Sequence, residues 1–390
     1  MGVSDEKPVL LIATGTRAEW GLLAPVARAL RDAGEVRPVI MATNMHLSDR
    51  FGHTVDEIRR DGFEPVCVPM DAETDGAVAR ARAAAQCLEG AAGVIADIRP
   101  DALLILGDRY EMLSVAFAAT MARVPIIHMH GGEVSEGAID DSIRHAITKL
   151  AHLHLTSTGE YRARVIAMGE DPARVIDTGA IGVANLGNVP LASRGEVEHE
   201  LGIPAGAPYV VATFHPATLD AADPAERVTA MLDALDRFHG LHVVLTYPNN
   251  DPGSEAVVRV IEARAAAAPD RITLRRSLGL KLYLSAVSHA AAVVGNSSSG
   301  IIEVPSAGIP TVDIGIRQRG RAAGPSVIHC GDSTDEIAAA LARAISPEMR
   351  AVAARRVNPY HKPDTLRLIV DAVTGFVTSH PGALKQFHDA

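Results

Sequence analysis

Positive charge is not in surplus in this chain. Its 390 residues carry 37 Lys and Arg against 47 Asp and Glu, a net charge of −10, which argues against a broad nucleic-acid surface. An anionic ligand would need a local cluster of arginine. Cysteine is scarce. Cys67, Cys87 and Cys330 stand apart without metal or disulfide spacing, as expected of a protein kept in the reducing cytosol. No apolar stretch reaches the roughly 18 residues of a membrane span. The start, "MGVSDEKPVLLIATGT", has neither the basic segment nor the cleavage site of a signal peptide. Aromatic residues make up only 4% of the chain against 47% hydrophobic residues in all, so a sizeable core must be built mainly from aliphatic side chains. No internal repeat or low-complexity tract is present.

What is present is a regular alternation. Short apolar runs at 8–14, 36–43, 101–107, 124–130, 153–158, 208–214, 241–247, 272–277, 291–295 and 310–315 read as strands. Helix-length amphipathic runs separate them, for example Leu22 to Arg31 and Met112 to Met121. Continuous Val/Ile/Leu strands separated by helices predict parallel sheets covered on both faces. The alternation pauses between about residues 182 and 205, where Gly, Pro and Asn accumulate and a linker is expected. The expectation is therefore α/β, with two doubly wound, Rossmann-like domains at 1–182 and 183–365. A last helix at about 363–380 is expected to pack back on the first domain.

In such sheets ligands bind beyond the carboxyl ends of the strands, so the strand ends matter most. "ATGTRAEWG" follows the first strand and is neither GxGxxG nor a Walker loop. Arg17 would sit at the mouth of the next helix. "ILGDRYE" places Asp108 and Arg109 directly after an apolar strand. "IIHMHGGEVSEGAIDDSIRHAITK" is the richest segment, with His128 and His130, Gly131 and Gly132, then Glu133. A helix should begin near Ile139, with Asp140 four residues from Arg144 and Asp141 four from His145. His-x-His with distant carboxylates is no standard zinc spacing, and no metal is expected. Carboxylates and histidine in one desolvated site are the groups that move protons near neutral pH.

In the second half, His215 precedes Pro216 at a strand end, and Asn249, Asn250 and Asp251 end another. "VVGNSSSGIIE" passes from strand to helix through Asn296, Ser297, Ser298 and Ser299. One such residue suffices as an N-cap; three in a row suit an anion at a helix N-terminus. Arg317, Arg319 and Arg321 cluster in "DIGIRQRGR". Together these describe a pyrophosphate site.

With these residues in place, the chain resembles the hydrolysing UDP-N-acetylglucosamine 2-epimerases of sialic-acid and legionaminic-acid biosynthesis. The motifs, spread from about residue 8 to 378, are "GTRAEWGLLAP", "GDRYE", "HMHGGEVSEGAIDDSIRHAITKLAHLHL", "FHPAT", "YPNNDPGS", "GNSSSGIIE" and "GIRQRGR". The resemblance implies a GT-B-like fold with the sugar nucleotide in an interdomain cleft. It implies that UDP-GlcNAc and water give N-acetylmannosamine and UDP, through elimination to a 2-acetamidoglucal and addition of water. No cofactor is implied, nor a nucleic-acid or membrane partner, and a cytoplasmic homo-oligomer (dimer or tetramer) is expected. By the same resemblance Asp108, Glu133 and Asp140 are the catalytic carboxylates and His215 assists the leaving phosphate. Arg17, Ser297, Ser298 and Arg317 would hold phosphates, Glu303 the ribose, and Asn249 and Asp251 the nucleotide half. His46, Arg109, Arg144, His145, Ser254, Asn296, Gly300 and Arg321 complete the implied binding set. Animal members read His-x-Glu-Gly-Gly-Glu with a catalytic first Glu. Here that position is His130, so either His130 or Glu133 does its acid/base work.

Four alternatives stay open at this point. A hydrolysing 2-epimerase could instead take UDP-2,4-diacetamido-2,4,6-trideoxyglucose or GDP-GlcNAc. A GT-B glycosyltransferase would not need the gathered carboxylates, and a sugar-nucleotide sensor would have lost them. Non-hydrolysing epimerases typically lack the "GDR" and "HxHGGE" forms.

Overall fold

The structure, a computed structural model, describes residues 7–71, 76–136, 138–217, 222–249 and 251–389. Gly137, Thr218 and Asn250, which belong to three of the motifs, lie outside the described residues. The chain divides into two compact units. The first comprises Met1–Glu133, Asp140–Ala184 and Lys362–Ala390, and the second Val134–Ile139 and Asn185–His361.

Among the described residues the first unit holds seven parallel strands: β1 (Val9–Thr14), β2 (Arg37–Thr43), β3 (Val66–Val68), β4 (Ala102–Leu106), β5 (Ile126–Met129), β6 (Leu153–Thr156) and β7 (Val175–Asp177). Their order is β3-β2-β1-β4-β5-β6-β7. Side chains alternate across each strand. Leu10 and Ile12 therefore enter one core cluster while Leu11 and Ala13 enter the cluster on the other face. Both faces are covered by helices, which explains the unbroken apolar runs. The helix Thr365–Thr378 adds Ile369, Val373, Phe376 and Val377 to the cluster that also holds Leu23 and Leu30 of the helix Arg17–Ala33.

The second unit holds β8 (Tyr209–Thr213), β9 (His242–Thr246), β10 (Ile272–Arg275), β11 (Ala292–Gly295), β12 (Thr311–Ile314) and β13 (Val327–Cys330), in the order β10-β9-β8-β11-β12-β13. Every pairing is parallel. Each sheet reverses its winding once, between β1 and β4 and between β8 and β11. The carboxyl ends at these switch points are the natural ligand positions.

Three strands escape the sequence reading: β3, β7 and β13. The expected linker is also corrected. Residues 182–205 contain the helices Ile181–Asn188 and Arg194–Leu201. The second is set by a capping box in which Ser193 and Glu196 satisfy each other's backbone N–H groups.

Candidate functional site

The first unit's switch point is built around two buried carboxylates. Thr16 caps the helix Arg17–Ala33, and Glu19 Oε2 accepts the N–H groups of Gly15 (2.7 Å) and Thr16 (3.2 Å). Glu111, fully buried, accepts Asn44 Nδ2 and Arg109 Nε on Oε1, both at 2.7 Å. A Cβ at position 15 would come within 2.5 Å of that oxygen, so Gly15 is required by the close approach. Burial, reinforced by the charge of Glu111, pushes the Glu19 carboxyl up to about 8. Arg109 is thus held by its own strand-end turn, and Arg17 ion-pairs with Glu57 at 2.8 Å.

Beside it, β4, β5 and β6 end in a second constellation. Arg144 lies on the helix Asp140–Leu150 with only 1% of its side chain exposed. It bonds the Asp108 carboxylate, donates to the Glu133 carbonyl at 2.8 Å, and reaches Asp141 Oδ1 at 2.9 Å. His145 Nε2 lies 3.4 Å from Asp141 Oδ2. Asp140 and Asp141 open this helix, where negative charge suits the macrodipole. Glu133 Oε1 accepts Ser157 Oγ at 2.6 Å and lies 3.0 Å from His130 Nδ1. His130 adopts a left-handed φ of 66° between β5 and the Gly131-Gly132 turn. Its Nε2 is buried and has no partner among the described residues. His128, wholly buried, faces the Gly107 carbonyl through Nε2 at 2.7 Å and Thr148 Oγ1 through Nδ1 at 3.2 Å. Only an N–H can serve a carbonyl, so the proton is on Nε2. Burial lowers His128 to about 3 and keeps it neutral.

The second unit's switch point is built from Asn296. Its Oδ1 accepts the His215 N–H and its Nδ2 donates to the His215 carbonyl, both at 2.7 Å. Its own carbonyl receives Gln318 Nε2 (2.9 Å) and an Arg317 guanidinium N–H (3.2 Å). Arg317 also lies 3.7 Å from Asp251. Gly295 just before it has φ 137°, and a Cβ there would meet the Thr213 carbonyl at 1.8 Å. The Asn249 N–H donates to His215 Nδ1 at 3.2 Å. The imidazole therefore carries its proton on Nε2. Burial lowers His215 to about 3, helped by Arg317, so the ring is a neutral N–H donor.

The serines do not behave as caps. Ser298 precedes the helical turn Ser299–Ile302 without a side-chain cap bond. Ser299 Oγ takes the Tyr283 hydroxyl at 2.7 Å. The hydroxyls of Ser297 and Ser298 bond nothing within the described residues and are partly exposed. Glu303 follows this turn. Tyr283 is raised by burial, and the Glu303 charge adds to the shift. Ser254 opens the helix Ser254–Ala267, its N–H on the Asp251 carbonyl at 3.0 Å. Arg321 donates to Ser135 Oγ at 3.0 Å, both in the second unit.

Two expected ligands have contacts of their own within the first and second units. His46 is fully buried, with Nε2 on Thr14 Oγ1 (3.0 Å) and Nδ1 on Thr54 Oγ1 (2.8 Å). Both ring nitrogens are used, and burial lowers its pKa to about 4; it braces the ends of β1 and β2. Gly300 is a packing residue, since a Cβ would meet Thr311 Cγ2 at 2.8 Å. The sequence reading missed Glu19, Asn44, Glu111 and Ser157. Glu111 stood within the "GDRYE" motif and Glu19 within "GTRAEWGLLAP", so both had a visible signal.

No group of three His, Cys, Asp or Glu side chains among the described residues is placed to hold a metal ion, and no described helix is long and apolar enough to cross a membrane. Residues 28–374 match the family model described as UDP-N-acetylglucosamine 2-epimerase. The chain is 33% identical over 382 residues to polysialic acid biosynthesis protein P7 of Escherichia coli, covering 97% of each chain. It is 32% identical to a hydrolysing GDP/UDP-N,N'-diacetylbacillosamine 2-epimerase of Campylobacter jejuni, covering 81% of this chain and 82% of that one. The UDP-GlcNAc 2-epimerase of Neisseria meningitidis, solved bound to UDP-GlcNAc, shares the GT-B-like fold, with a TM-score of 0.78 at 16% identity over 94% of this chain and 100% of that one.

Proposed function

The chain belongs to the UDP-N-acetylglucosamine 2-epimerase family, and we propose that it is a hydrolysing member converting UDP-GlcNAc and water to N-acetylmannosamine and UDP. The observation that carries this reading is the tie of Arg144 to both Asp108 and the Glu133 backbone at adjoining strand ends. A transferase or a sensor has no use for carboxylates gathered and held in this way.

The reaction needs a base at C2, negative charge near a cationic C1, and donors for the departing pyrophosphate. The base takes the C2 proton, the electron pair forms the C1–C2 double bond, and the C1–O bond breaks with its pair leaving on UDP. Water then adds its hydroxyl at C1, and a proton returns to C2 on the opposite face. Glu133 is committed to Ser157 and to His130 Nδ1. We assign His130 Nε2 as the basic atom, with Glu133 orienting it through Oε1, in the manner of a carboxylate behind a catalytic imidazole. Asp108, fixed by Arg144, faces C1, and Asp140 supports it. In the second unit His215 Nε2–H, the Ser297 and Ser298 hydroxyls and Arg317 take the pyrophosphate, whose developing charge such preorganised donors stabilise. Asn249 and Asp251 serve the nucleotide, and Glu303 the ribose.

The Campylobacter relative supports a second reading, the same mechanism on a 2,4-diacetamido-6-deoxy sugar linked to UDP or GDP. A pocket built for the 4- and 6-hydroxyls would reject that sugar strongly. Incubation with UDP-GlcNAc in D₂O, followed by proton NMR, tests both. Free UDP with N-acetylmannosamine deuterated at C2 is expected. Turnover of the diacetamido sugar alone would move the substrate and keep the mechanism, and silence on both would overturn the hydrolysing reading.

A further inference from the structure

A charged cluster in the first unit takes no part in this chemistry. Glu170 is 2% exposed. Its Oε1 accepts Lys149 Nζ at 2.6 Å, and its Oε2 lies 2.7 Å from Lys385 Nζ and 3.0 Å from Nε2 of buried His154 on β6. Lys385 belongs to the C-terminal segment and goes further. Its ammonium donates to the Lys149 carbonyl at 2.8 Å and the Thr148 carbonyl at 3.3 Å. These lie in the last turn of the helix Asp140–Leu150, where the macrodipole is negative and the Thr148 carbonyl also takes the Ala151 N–H at 3.2 Å. The tail thus caps the helix that carries Arg144.

The segment is docked at both ends of Lys385. The Ala383 carbonyl lies 3.2 Å from His152 Nε2, and the His388 N–H donates to the Gly169 carbonyl at 3.0 Å. The Phe387 ring lies against Gly169, where a Cβ would fall 2.3 Å from it, and Lys149 Nζ sits 5.0 Å from the ring centroid. Thr148, which receives Lys385 on its carbonyl, meets His128 through Oγ1. His128 in turn donates to Gly107, the residue before Asp108. The capped helix end and the Asp108 turn are therefore parts of one bonded chain.

We propose that residues 383–388 form a strap that fixes the helix Asp140–Leu150, with Lys385 a positioning residue that keeps Arg144 on Asp108 and Glu133. The proposal rests on the role given to that site under the proposed function. Lys385→Met and Lys385→Arg in the full chain test it, read by kcat and KM on the active sugar nucleotide and by amide hydrogen exchange of residues 140–150. Lys385→Met is expected to lower kcat about ten-fold, since small misplacement of catalytic groups is costly. KM should stay within about two-fold because the nucleotide contacts assigned under the proposed function lie in the other unit. Exchange in the helix should quicken, and Lys385→Arg should restore both readouts. Wild-type kcat and exchange in Lys385→Met, or no rescue by arginine, would overturn the strap. Should Lys385→Met not fold, Phe387→Ala removes the ring's contacts with Gly169 and Lys149 and must show the same direction of change. If the wild type turns over no sugar nucleotide, the functional reading fails while the exchange comparison still decides the strap.

Discussion

Arg144 bonds the Asp108 carboxylate across 36 positions of sequence. One guanidinium on a helix thereby fixes the acid at the end of β4, and through the Glu133 carbonyl it also fixes the end of β5. Asp108→Asn keeps the shape and removes the charge. On the proposed mechanism kcat falls by about 10²–10³, the usual cost of losing one electrostatic stabiliser, with the fold intact by circular dichroism. Turnover near the wild-type rate would remove Asp108 from the chemistry.

The division of labour between His130 and Glu133 is open to a direct kinetic test. With Nε2 of His130 as the base, His130→Gln abolishes deuterium incorporation at C2. Ser157→Ala leaves the base in place and frees one bond on Glu133, so kcat should fall by only about ten-fold. An inverse result, with Ser157→Ala silent and His130→Gln still exchanging the C2 proton, would return the base role to Glu133.

These relationships show where sequence reading stops. Runs such as "DALLILG" announce buried parallel strands because both faces are apolar. The three-residue strands Val66–Val68 and Val175–Asp177 carry too little pattern, and Val327–Cys330 alternates with an exposed His329. The helix Ile181–Asn188 contains Gly182 and Gly187, which lower its intrinsic propensity, so packing rather than local preference fixes it. Polar groups placed after strands marked Asp108, Glu133 and His215 as candidate site residues. Ser157 on Glu133 and Asn296 on His215 were not legible, since those pairs span 24 and 81 positions and depend on strand order. The four-residue spacing of Asp140 and Arg144 was a local inference; the structure gives Asp141 and Asp108 as partners of Arg144.

Glu19 gives a pH signature. Its folded pKa is raised from 4.5 to about 8. Between those values the unfolded chain is ionised there and the folded chain is not. The folded state therefore binds more protons, and stability falls as pH rises through the window. Buried His46, His128 and His215 are lowered to about 4, 3 and 3 from 6.5, and act oppositely below about pH 6.5. Glu19→Gln retains an acceptor for the Gly15 N–H and leaves those histidines untouched. The Tm difference between Glu19→Gln and wild type should grow in favour of the variant from pH 5 to pH 8, then level off. A difference that is flat with pH would mean Glu19 titrates normally.

The serines separate capping from ligand binding without ambiguity. A capping side chain replaced by alanine costs about 1 kcal/mol of stability. Neither Ser297 nor Ser298 caps the turn in this structure, so the double variant Ser297→Ala, Ser298→Ala should melt within about 1 °C of wild type. Its hydroxyls were donors in reserve for phosphate, and each lost hydrogen bond to a charged group removes about 1.5–3 kcal/mol of binding. UDP affinity by calorimetry should therefore weaken by at least ten-fold while Tm in the absence of nucleotide is unchanged. A lower Tm with unaltered UDP affinity would make these residues structural after all, and would remove the anion site from the second unit.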